Sequence, residues 1–131
     1  MGAVADLNKE GINIDDGKDS IVIRQCIGCI IGGRTLDMTG FEGDYIRAGH
    51  VVIRDTQTDT YKPMPVSSGA YGSLPSNHEY VGVVVCSKPK DEPFVAIMYN
   101  GEVNDKAVPY SVDTIKSAMK TALPTLTFLH D

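Results

Sequence analysis

The chain has no tryptophan, only 7% aromatic residues and just three cysteines. An odd number of cysteines without framework spacing argues against a disulfide scaffold and suits a reducing compartment. The sparse aromatics weaken a reading as a stacking module for sugars or peptides, for which Tyr61, Tyr71 and Tyr80 are the available platforms. Positive charge is also in deficit: 12 Lys and Arg stand against 17 Asp and Glu, a net of −5, which gives no electrostatic footprint for a phosphate backbone. No direct nucleic-acid partner is expected. Apolar runs fall far short of the roughly 18 residues that span a bilayer, and the first residues lack the basic-then-apolar order of a signal peptide. A soluble protein with no membrane contact, made in the cytoplasm, is the expectation.

What is present suits one domain. A chain of 131 residues with 42% apolar content can build a core without metals or disulfides. Residues 1–20 carry a net charge of −3 and only scattered apolar members, Val4, Leu7, Ile12 and Ile14, so residues 1–19 read as a flexible acidic N-terminal arm. From Ser20 to Asp131 short apolar segments alternate with turn chemistry, the pattern of a mainly β domain. Segments at 21–31, 51–53, 80–86, 94–99 and 125–129 are expected strands, and the polar run Asp55 to Thr60 reads as a hairpin turn. The 80–86 run is apolar throughout apart from Gly82, as in a strand buried on both faces. Residues 65–79 read as one long loop. A single helix is expected, capped by Ser111, with Val112, Ile115, Met119, Ala122 and Leu123 on one face and Pro124 ending it.

Each chemical motif also has a plain packing explanation. Cys26-Ile27-Gly28-Cys29 is a C-x-x-C, but it lies in a strand-like run and not at a helix N-terminus. Three-residue spacing on a regular strand points the two thiols to opposite faces, so both are expected as buried small apolar residues unless a bulge at Gly28 intervenes. A zinc site would need two more ligands, and Cys86 with His50, His78 or His130 has no motif spacing. The histidines lack an evident carboxylate partner pattern, and no G-x-S-x-G elbow is present. Gly32-Gly33-Arg34-Thr35 reads as a turn and Asp15 to Asp19 as solvated acidic chain. No catalytic, metal or cofactor residues are therefore assigned, and the chain is not expected to be an enzyme.

From Val81 onward the order of segments is more distinctive. Val81-Gly82-Val83-Val84-Val85-Cys86, Phe94 to Tyr99, Gly101-Glu102-Val103-Asn104, Ala107-Val108-Pro109, the helix and Thr125 to Leu129 resemble the head decoration proteins of tailed bacteriophages. With the Val51 to Tyr61 hairpin the likeness covers roughly residues 48–131. The resemblance implies a mainly β (α+β) fold, a β-clip-like small barrel or sandwich of short strands with one C-terminal helix and an extended N-terminal arm. It further implies a homotrimer on the outer surface of the virion, bound to the major capsid protein and stabilising the expanded icosahedral head. Val4, Leu7, Ile12 and Ile14 would then be the capsid-binding residues of the arm. Two other readings stand beside it: another virion component, such as a head fibre base or tail tube-like protein, or a small nucleotide hydrolase on a β-clip scaffold.

Overall fold

The structure is a computed structural model and describes residues 14–130. In chain order the elements are α1 (Asp19–Val22), β1 (Ile23–Cys29), β2 (Arg34–Thr35), β3 (Tyr45–Ile46), β4 (Val51–Asp55), β5 (Tyr61–Pro63), β6 (Val66–Ser67), β7 (Ala70–Tyr71), β8 (His78–Val84), β9 (Lys88–Pro89), β10 (Phe94–Val95), β11 (Ile97–Asn104), α2 (Lys116–Ala122) and β12 (Leu126–Leu129). The protein is mainly β with few helices.

One six-stranded sheet dominates, in the order β1-β11-β8-β4-β5, with β12 also paired to β11. β11 is its axis. Met98 pairs with Val83 of β8 and with Cys29 of β1, whereas Gly101 pairs with Cys26 of β1 and Leu126 of β12. β8 and β12 therefore occupy successive stretches of one side of β11, and β1 runs along the other. The β11–β12 pairing is parallel, which requires a crossover, and the segment carrying α2 supplies it. The sheet ends at β1 and at β5 and does not close on itself among the described residues.

Alternation along the central strands explains their unbroken hydrophobicity. Val51, Ile53, Val83 and Met98 enter a core cluster with Val112, Ile115 and Met119, while Val52, Val84 and Ile97 enter a second cluster with Leu36, Ile46 and Val95. Both faces of β4 and β8 are thus covered, and period-2 polarity has no reason to appear. Gly82 and Gly101 allow this close approach: a Cβ on Gly82 would run into the Met98 carbonyl, and one on Gly101 into the Gln25 carbonyl.

Four local expectations change, the first being the 94–99 strand, which divides at Ala96 into β10, paired with β2 in a separate sheet, and the start of β11. Ile21 and Val22 belong to the helical turn α1, not to a strand, because the Asp19 carboxylate accepts hydrogen bonds from the Ser87 amide and hydroxyl (2.8 and 2.7 Å) and Val22 is buried. The last residue of the expected arm is thereby tied to the domain. The expected 65–79 loop contains a small hairpin, β6–β7, whose turn residues Ser68 and Gly69 both take positive φ, 53° and 78°. The helix is shorter than Ser111 to Leu123. Ser111 forms an isolated bridge with Ala70, and Ile115 sits at the N-cap, so α2 covers only residues 116–122. Val112, Ile115 and Met119 are nevertheless buried as the spacing anticipates.

Candidate functional site

Exposed large apolar side chains gather around β1. Among the described strands β1 pairs only with β11, and its middle residues are exposed. Ile27 on β1 is 61% exposed and Ile31 just beyond it 94%, and Phe94 and Tyr99 are exposed as well. Glycines set the rings in place. The Cβ position of Gly28 lies 3.4 Å from Tyr99 ring atoms and that of Gly33 lies 3.2 Å from the Phe94 ring. Each aromatic ring lies against backbone that carries no side chain.

Two register shifts flank Gly28 in the β1–β11 ladder, between Cys26 and Gly28 and between Gly28 and Cys29. They bring the Cys26 and Cys29 sulfurs to 2.9 Å on one side of the strand. The expectation of two buried thiols on opposite faces is therefore corrected: the bulge re-aims them, Cys26 and Cys86 are exposed, and Cys29 is half-buried. Partial burial pushes the Cys29 thiol up to about 11, helped by the hydrogen bond and charge of Cys26 and by the charge of Cys86.

His50 occupies a different environment. Its ring is buried and meets Phe41, Tyr71 and Tyr110 edge-on, with centroids 5.8, 5.5 and 5.5 Å away. Nε2 lies 3.1 Å from the Met64 carbonyl, which only accepts, so Nε2 carries the proton. Burial lowers the His50 pKa to about 4, and the imidazole is neutral at physiological pH. The ring forms part of the wall of a cleft of about 410 Å³ that also presents Asp37, Glu42 and Lys62. Tyr71 and Tyr80 are buried and Tyr61 lies under the Arg34 guanidinium, so none of the three is an open stacking platform.

Two histidines do face carboxylates, contrary to expectation. His78 pairs with Asp55 across β4 and β8, 4.0 Å apart. Asp105, whose side chain is 5% exposed, accepts bonds from Lys116 Nζ at 2.6 Å and His130 Nδ1 at 2.8 Å. The parallel register Asn104↔Leu129 explains the latter contact, because Asp105 and His130 each stand one residue past it. No spacing in the sequence shows that the two strands are parallel. Lys116 holds the Asp105 carboxyl below its ordinary range, with His130 adding to the effect.

Of the arm residues, Val4, Leu7 and Ile12 lie outside the described residues, and Ile14 is half-buried. Among the described residues no three His, Cys, Asp or Glu side chains converge in a way that would hold a metal ion. No helix of the described residues is long and apolar enough to cross a membrane. Comparison with protein-family models, curated proteins and solved structures gives no match.

Proposed function

We propose that this chain is a structural protein of a viral particle: a trimeric decoration protein of β-clip type that binds the major capsid protein on the outside of an expanded icosahedral head and stabilises it. The observation that carries the reading is the apolar β1 edge. An edge strand that pairs with one described strand, close to the exposed Ile27, Ile31, Phe94 and Tyr99, is a surface that folded proteins ordinarily blunt or cover. Covering it by a second copy or by the shell removes the apolar area from water. Three copies joined in a ring act with a high effective concentration, so a weak contact per subunit suffices for stable occupancy. The arm residues Val4, Leu7, Ile12 and Ile14 add apolar area in the same way, at roughly 1.5–3 kcal/mol for each side chain fully buried.

The hydrolase alternative gains nothing from the His50 cleft. Its walls carry two carboxylates, Asp37 and Glu42, against one cation, Lys62, and the His50 Nε2 is taken up by the Met64 carbonyl. The reading is tested by light scattering of the purified chain and by co-sedimentation with expanded and unexpanded heads of the virus that encodes it. A trimer that saturates expanded heads alone is expected. A monomer at micromolar concentration that binds neither form would overturn it.

A further inference from the structure

We propose that Cys26 and Cys29 form a reversible dithiol–disulfide site that reacts with small-molecule disulfides at the exposed edge of the sheet. In a regular strand, residues three apart are separated by about 10 Å and point to opposite faces. Here the double register shift around Gly28 cancels both effects and leaves the sulfurs 2.9 Å apart. Closing to the roughly 2.05 Å of a disulfide needs a movement of about 0.9 Å, within reach of a χ1 adjustment on a strand with one described neighbour. The inference is independent of the proposed function.

The two cysteines have unequal roles. Cys26 is the exposed thiol and meets the incoming disulfide first. Its thiolate attacks one sulfur of the reagent, the reagent's S–S bond breaks, and the departing thiolate takes up the proton Cys26 released. A mixed disulfide results. Cys29 then gives up its proton and attacks the Cys26 sulfur, the mixed bond breaks, and the second reagent thiolate leaves and takes up the Cys29 proton. Two thiols have lost two electrons and two protons, and one reagent disulfide has become two thiols. Burial of Cys29 disfavours its thiolate, so it suits the resolving role and not the attacking one.

Cys86 is the competing partner, since its charge is felt at Cys29. The test incubates the full-length reduced protein with glutathione disulfide, blocks the remaining thiols, and maps the peptides by mass spectrometry. The wild type is expected to form a Cys26–Cys29 crosslink that glutathione reverses, with Cys86, itself exposed, either free or carrying a glutathione adduct. C86S is expected to form the same crosslink, whereas C29S should stop at a glutathione adduct on Cys26. A Cys29–Cys86 bond, a crosslink between two chains, or three free thiols in excess oxidant overturns the proposal. Mapping of the wild type decides the matter even where a variant fails to fold.

Discussion

β4 and β1 both carry β-branched residues, yet Val51, Val52 and Ile53 are fully buried while Ile27 lies open. The sequences of the two strands differ little in hydrophobicity; their positions in the sheet differ completely. β4 has β5 on one side, β8 on the other and a core cluster on each face. β1 has β11 on one side and no described strand on the other. Hydrophobicity thus tells where a strand is to be covered, but not whether its own chain covers it. On β4 the described residues do so, and on β1 they leave Ile27 exposed.

The sharpest way to break this contrast is to add one methyl group in each region. Gly82→Ala places a Cβ against the Met98 backbone carbonyl at the junction of β8 and β11, where nothing can move without parting the sheet. A loss of about 4 kcal/mol is expected, in the range reserved for severe core strain. Gly28→Ala, on the open edge, meets side-chain atoms of Asn100 and Tyr99 at 3.3 and 3.4 Å, and these can yield. Its cost should be about 1 kcal/mol or less. Urea midpoints of the two variants compare them directly, and equal losses would mean that β1 is as tightly held as the centre.

The closed region should also be the acid-sensitive one. His50 is neutral in the folded protein down to about pH 4, whereas an unfolded histidine takes up a proton near pH 6.5. Between these values the unfolded chain binds more protons, so stability is full above about pH 6.5 and falls as the pH drops towards 4. The loss reaches about 3 kcal/mol. Asp37, Asp55 and Asp105, all held below their ordinary carboxylate range, push in the same direction on acidification. His50→Gln keeps a donor for the Met64 carbonyl but does not titrate. Subtracting its urea-derived stability profile from that of the wild type should isolate the histidine contribution, and superimposable profiles would show that His50 does not titrate on unfolding.

Much of this closed region is legible in the sequence. The Asp55 to Thr60 turn and the buried stripe of Val112, Ile115 and Met119 stand in the structure where pattern places them, and the apolar run from Tyr80 forms a strand, though that strand is His78–Val84 and leaves Cys86 outside and exposed. The Cys26–Cys29 face is not legible, because its geometry depends on two register shifts against β11 that no local pattern encodes. The Asp105–His130 contact is hidden for a related reason: it exists only because β12 returns parallel to β11. The helix is shorter than its pattern because Ser111 bridges Ala70, 41 residues away in sequence, and although its hydroxyl accepts a hydrogen bond from the Asp113 amide at 3.4 Å, residues 113–115 form a turn before the helix begins at Lys116. Local periodicity reports which residues are to be covered; register and strand direction are long-range properties.

The smallest effect on stability should accompany the largest effect on association. Ile53→Ala removes a fully buried side chain from the closed region and should cost about 3 kcal/mol, the middle of the range for such truncations. Ile27→Ser and Ile31→Ser remove side chains that already face solvent in the single chain, so each should shift stability by no more than about 0.5 kcal/mol. In an assembly that covers the β1 edge the same two residues are buried, each contributing roughly 1.5–3 kcal/mol, which corresponds to about 10- to 150-fold in affinity per residue. Sedimentation equilibrium of the Ile27→Ser/Ile31→Ser protein, beside its urea melt, separates the two quantities. A weakened assembly with an unchanged melt assigns the edge to a partner surface. A melt lowered as far as that of Ile53→Ala would mean that β1 is covered by its own chain, and an unchanged assembly would move the contact elsewhere on the molecule.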